Sequence, residues 1–312
     1  MFAIFESILP IFLLIIAGNM LRRSPLIRDE TWPGLEQLCY WFLYPALLFI
    51  TIANADFSQL RLDALLGALS VSVFAMILLV LALWPVLRAS RLIRHSQYSS
   101  LFQTAVRWNG FMALAVAQKL FPPEGAAVVA LVMATIIIPI NIASVFVVTR
   151  FADSSASWSK VLLDVARNPM VLAAAAAVVL RFMPFGLYPP LNQTLDLVGR
   201  AALGMGLLTI GASLRPGDFL AARAALWTSA FLKLVFFPVL MISIALAFGV
   251  SGPALDYLAL CAAVPTAMNG YLLARQLGGD APLYASITTL QTALAFFTIP
   301  LVLTVVAQLV SG

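Results

Sequence analysis

The chain alternates long apolar runs with short polar breaks, and the breaks, more than the runs, set its plan. Ten stretches approach the length a bilayer core demands, about 20 apolar residues per helix: roughly 4–21, 33–53, 64–87, 98–119, 126–149, 168–183, 191–212, 222–248, 254–275 and 282–309. Turn-forming clusters mark the joints, among them Ser24-Pro25, Phe121-Pro122-Pro123, Tyr188-Pro189-Pro190, Arg215-Pro216-Gly217 and Ser251-Gly252-Pro253. This spacing leaves no room for a soluble domain. The first run lacks a basic leader and a small-residue cleavage site, so it is expected to span the membrane rather than be removed as a signal peptide. Pro45 is expected to kink the second segment.

Two segments are interrupted at mid-depth. Residues 107–111 read RWNGF in the fourth and residues 267–271 read AMNGY in the ninth, so Asn109 matches Asn269, Gly110 matches Gly270 and Phe111 matches Tyr271. Pro265 lies just upstream in the ninth. Proline removes a backbone donor, glycine loosens the chain, and asparagine competes with the helix for backbone bonds. A helix broken inside lipid exposes amide and carbonyl groups that only protein or a wet cavity can satisfy. A single Asn-Gly pair would suggest close helix packing, but two at matching positions point to a transporter's binding site.

The offset of about 160 recurs along the chain. Glu36 aligns with Asp196, Leu47-Leu48 with Leu207-Leu208, Asp56-Phe57 with Asp218-Phe219, and Ile138-Pro139 with Ile299-Pro300. Residues 1–150 therefore read as one five-helix repeat and 161–312 as a second, joined by a polar loop at 151–160. An odd number of spans inverts the second copy relative to the first, as in many secondary transporters. The expected fold is an all-α integral membrane protein of ten transmembrane helices, arranged as two inverted five-helix repeats with helices 4 and 9 broken and crossing.

Composition agrees. The chain has 312 residues, 62% of them hydrophobic and only 10% charged, against about a quarter charged in soluble domains. Its net charge of +5 would suggest nucleic acid in a soluble protein, but the basic residues sit in short loops. Loops after odd-numbered segments hold twelve Arg and Lys and the opposite loops three, which places the odd loops in the cytoplasm and both termini outside. Cys39 and Cys261 lie in apolar runs and read as packing residues.

The deep polar residues define the chemistry. Broken helices present free N–H groups and positive dipole ends that favour an anion, and Asn109 and Asn269 can add amide donors without a buried charge. Arg107 lies deep in segment 4 and Lys233 deep in segment 8, where a charge costs at least about 2.5 kcal/mol and is retained for a partner or a wet cavity. Arg107 reads either as a substrate contact or as a packing residue whose head snorkels to the cytoplasm, and Lys233 reads as structural. Asn141, beside Pro139, either lines the cavity or satisfies the carbonyl that the proline leaves free. Phe111 and Tyr271 either stack on a substrate ring or pack. For proton coupling the candidates are Glu36 and Asp196, the latter placed to pair with Arg200 one turn on; the single histidine, His95, falls in a basic cytoplasmic loop.

Three stretches carry a family likeness: FQTAVRWNGFMALAVA, VMATIIIPINIASVFVV and AVPTAMNGYLLARQLGGDAPLYASITTLQTALAFFTIPLVL. With these the chain resembles the bacterial branch of the auxin efflux carrier family, within the bile acid and auxin transporter superfamily. The resemblance implies substrate at the crossing of helices 4 and 9, a scaffold of helices 1, 2, 6 and 7, elevator-like movement of the rest and a homodimer. It matches Asn109 and Asn269 to asparagines that contact a substrate carboxylate, and Pro265 to the crossover proline. Plant members carry a proline after the helix 4 asparagine where this chain continues Phe111-Met112-Ala113, so a break there rests on Asn-Gly alone.

The function expected is a secondary carrier of a small organic anion, a mono- or dicarboxylate, with Asn109, Gly110, Asn141, Arg107, Pro265, Asn269, Gly270 and Tyr271 as candidate substrate-binding residues. No cofactor, metal or nucleic-acid partner is expected. A sodium-coupled carrier of the bile acid type is the alternative, with a channel or membrane sensor behind it. Hydrolase and metalloprotease signatures such as HExxH and GxSxG do not occur, so no catalytic residue is assigned.

Overall fold

The computed structural model describes residues 2–55, 62–91, 93–151, 167, 169–183, 186–214, 223–268, 270–276 and 278–311. Among them every regular element is helical. In chain order these are α1 (Phe2–Arg23), α2 (Thr31–Ala53), α3 (Leu62–Ala89), α4 (His95–Val106), α5 (Gly110–Leu120), α6 (Pro123–Phe151), α7 (Pro169–Arg181) and α8 (Pro189–Ser213). Then come α9 (Arg223–Phe231, running through a π turn at Leu232–Phe236 into Phe237–Ala247), α10 (Pro253–Ala263), α11 (Gly270–Gln276) and α12 (Ala281–Ser311). Most of the connecting loop at 151–160, and the matched pairs Asp56-Phe57 and Asp218-Phe219, fall outside the described residues.

Seven of the described helices are long and apolar enough to cross a membrane. The other three expected segments appear differently: the sixth as the shorter apolar helix α7, the fourth as α4 and α5, and the ninth as α10 and α11. His95 opens α4 instead of lying in the preceding loop.

Internal prolines are handled in two ways. Pro10, Pro85, Pro139 and Pro300 sit within continuous helices. Pro45 and Pro238 each follow a π turn, at Cys39–Leu43 and Leu232–Phe236. A proline offers no N–H to the preceding turn and its ring crowds the carbonyl there, and a locally widened turn accommodates both. At Pro45 the expected distortion therefore takes the form of a π turn.

The helices fall into two packing groups. α1 lies along α8, and α2 packs against both α7 and α8, while α3, α4, α6, α9, α10 and α12 pack mainly among themselves. The α1–α8 contact is a close backbone approach: a Cβ on Gly18 would collide with the Leu208 backbone, and one on Gly211 with the Ile15 backbone. Small residues let transmembrane backbones meet in this way.

Polar side chains close the helix ends reciprocally. A helix C-terminus leaves carbonyls without intrahelical partners. At the end of α8, Asn19 Nδ2 donates to the carbonyls of Gly211 at 3.1 Å and Leu214 at 2.9 Å, and Arg22 donates to Ala212 at 2.9 Å. At the end of α2, Arg181 donates to the carbonyls of Ile52 at 3.2 Å and Ala55. Arg22 lies in the last turn of α1 and Arg181 ends α7, so the first helix of each expected repeat caps the second helix of the other.

Candidate functional site

Segment 4 stops being helical without a proline. The Arg107 N–H makes the last bond of α4, to the Gln103 carbonyl at 2.8 Å, and the backbone of Arg107 then turns extended, at φ −74° and ψ 160°. Asn109 restarts the helix as the N-cap of α5, its Oδ1 accepting from the Met112 N–H at 3.0 Å. Capping asparagines satisfy amides that a new helix would otherwise leave bare. The break in segment 4 thus rests on the Asn109 cap, with no proline between residues 107 and 120.

Segment 9 breaks at the sequence position that matches the break in segment 4. Val264 leaves α10 in an extended conformation, and Gly270 begins α11. The two breaks touch: the Asn109 N–H donates to the Pro265 carbonyl at 2.7 Å. Each break strands a backbone group that lipid could not satisfy, and here one supplies the donor and the other the acceptor. Gly110 lies against Met133 and Gly270 against the Tyr284 ring, so closely that a Cβ would overlap either neighbour. Asn269 lies outside the described residues.

A second layer of polar groups holds the crossing in place. Gln291 of α12 accepts the Thr266 N–H at 2.9 Å and donates to the Thr104 carbonyl at 3.1 Å and the Ser229 Oγ at 3.1 Å. Thr104 and Ser229 share a hydroxyl contact of 2.7 Å, and the Tyr284 hydroxyl donates to the Ala267 carbonyl at 2.6 Å. Gln291, Thr104 and Ser229 are wholly buried. One amide side chain thus ties together α4, α9, α12 and the break in segment 9. Sequence reasoning assigned Gln291 no role; its one signal was an amide deep inside a membrane-length segment.

Arg107 is buried and turns sideways toward α6, donating to Asn141 Oδ1 at 2.8 Å and Ser144 Oγ at 3.2 Å. Its head is anchored between helices instead of snorkelling to an interface. Asn141 is half-buried, with its oxygen committed to Arg107. Gln103, one turn earlier on α4, is wholly buried, and neither polar atom of its amide has a partner among the described residues.

The remaining candidates separate from this set. Phe111 stacks on Tyr44 of α2, with ring centroids 3.4 Å apart and planes 11° from parallel, which is a packing role. Tyr271 is half-buried at the start of α11. Glu36 is exposed on α2, and Asp196 pairs with Arg200 at 2.8 Å across one turn of α8. Neither carboxylate belongs to the hydrogen-bonded set at the crossing. Among the described residues no group of His, Cys, Asp and Glu is arranged to hold a metal ion.

Comparison with known proteins finds relatives among membrane transporters. The family model described as membrane transport protein matches residues 149–303. The second half of the chain thus matches a family of membrane transport proteins. Among its relatives is the Escherichia coli K12 protein named uncharacterized transporter YfdV, 20% identical over 276 residues, or 86% of each chain. Another is a Rhizobium meliloti protein named "Putative malonate transporter", 26% identical over 284 residues, or 87% of this chain and 86% of that protein. The protein is thus an integral membrane transporter, and its matched region spans the whole of segment 9.

Proposed function

We propose that the protein is a secondary transporter of a small organic anion, a mono- or dicarboxylate, that binds at the crossing of segments 4 and 9 and moves by alternating access. The observation that carries this reading is the direct bond from the Asn109 N–H to the Pro265 carbonyl, which brings the two broken helices together. Free N–H groups at the start of α5, the Asn109 amide and the Arg107 guanidinium nearby give the region a cationic character suited to a carboxylate. Malonate is a natural first probe, since a relative carries that substrate in its name.

The chain is organised as two inverted repeats, a plan supported by the reciprocal capping of α8 by Arg22 and of α2 by Arg181. The grouping of α1, α2, α7 and α8 apart from the other helices supports an elevator-like movement of the crossing against that scaffold. A homodimer with both termini outside completes the proposal.

Counterflow tests it. Proteoliposomes loaded with unlabelled malonate and exposed to a trace of labelled malonate should accumulate the label transiently above its external concentration. Uptake that internal malonate fails to accelerate would contradict a carrier and favour a channel. Uptake that appears only with external sodium would favour the sodium-coupled alternative.

A further inference from the structure

Lys233 lies outside the hydrogen-bonded set just described and is the one lysine buried within the described helices. Its side chain is completely buried in the π turn of α9, and Nζ has no hydrogen-bond partner among the described residues. Nζ lies over the Phe237 ring, 4.4 Å from its centroid. A ring face returns only part of what an ammonium loses on leaving water. If the position served packing alone, methionine or leucine would fill it at lower cost.

The surroundings connect Lys233 to the transport path. The π turn packs against α4, α10 and α12, the half-helices entering the crossing and the helix that carries Gln291. One turn before Lys233, Ser229 bonds Gln291 and Thr104. One turn after it, Phe237 lines a small apolar cavity together with Val106 and Trp108 at the break of segment 4 and Cys261 on α10. Lys233 is therefore flanked, one turn to each side, by a residue of the polar hub and a residue lining the cavity beside the break.

We infer that Lys233 is a substrate-binding residue, its ammonium pairing with a carboxylate of the transported anion at a position adjoining the crossing. The inference rests on the reading of the protein as a carboxylate carrier. Buried polar groups without partners are uncommon in native structures, and an incoming anion supplies the missing partner here.

The test is a malonate titration, by thermal shift and calorimetry, of purified wild type, Lys233→Met and Lys233→Arg. Lys233→Met should leave the ligand-free unfolding midpoint unchanged or raise it, since an unpaired buried charge is removed. It should weaken malonate binding by about tenfold or more, the usual worth of a hydrogen bond to a charged group. Lys233→Arg, which keeps the charge, should recover most of that loss. Wild-type affinity in Lys233→Met would overturn the inference while leaving the carboxylate reading intact, whereas absence of malonate and other carboxylate binding in wild type would overturn both.

Labelling of the wild-type protein covers the case in which Lys233→Met does not fold. With the N-hydroxysuccinimide ester of propionate, the amine attacks the ester carbonyl, an amide bond forms, N-hydroxysuccinimide leaves and the amine gives up a proton to solvent. Saturating malonate should slow labelling of Lys233 several-fold and leave that of the exposed Lys119 unchanged. No label at Lys233, or labelling indifferent to malonate, would overturn the inference.

Discussion

Asn109→Ala is expected to abolish carboxylate transport while leaving the protein folded. The side chain does two things that can be separated. As N-cap it accepts the Met112 N–H at 3.0 Å, and losing such a cap costs about 1 kcal/mol. The backbone bond to Pro265 does not involve the side chain and survives the substitution. The unfolding midpoint should therefore fall by only a few degrees. Binding loses an amide donor from the proposed site together with the fixed start of α5, so malonate counterflow should drop to the background of empty liposomes. Full transport by a folded Asn109→Ala protein would remove Asn109 from the site. Asn269→Ala should behave alike, with loss of binding and an intact fold.

Gln291→Leu is expected to have the largest effect on stability of any substitution near the crossing. Its amide oxygen is the acceptor for the Thr266 N–H, and its amide nitrogen serves Thr104 and Ser229. Leucine fills a similar volume but leaves the Thr266 N–H bare where α10 has already ended. A buried amide without a partner costs about 1–3 kcal/mol. The bonds to α4 and α9 add about 0.6 kcal/mol each, a typical value between membrane helices. Stability should fall by about 2–4 kcal/mol in total, and transport should fall further than the unfolding midpoint implies because the crossing loses its alignment. Gln291→Glu keeps an acceptor for Thr266 but no donor for Thr104, and should recover only part of the stability. A Gln291→Leu protein as stable as wild type would contradict the role given to this hub.

Much of this architecture was legible in the sequence because it depends on local physics. Apolar runs report burial in lipid, and Asn-Gly pairs report places where a helix is hard to continue, so the breaks at 107–109 and 264–268 could be anticipated. The Asp196–Arg200 pair followed from spacing on one helix. What could not be read depends on which distant elements meet. Gln291 bonds residues 25, 62 and 187 positions away, and no local pattern marks those partners. The capping of α8 by Arg22 is of the same kind: arginines at membrane helix ends usually report topology, and only the packing reveals the carbonyls they serve. Two breaks were expected to lie near each other, but the particular donor and acceptor that join them required the structure. Lys233 was read as structural for a related reason, since a lone lysine in an apolar run does not disclose that it lacks a partner.

The measurement closest to the central claim is an experimental structure of the protein with malonate at saturating concentration. The account requires ligand density at the crossing, with a carboxylate within hydrogen-bond distance of Asn109 and of the N–H groups that begin α5. Density seated elsewhere, with the Asn109–Pro265 contact empty of ligand, would contradict it.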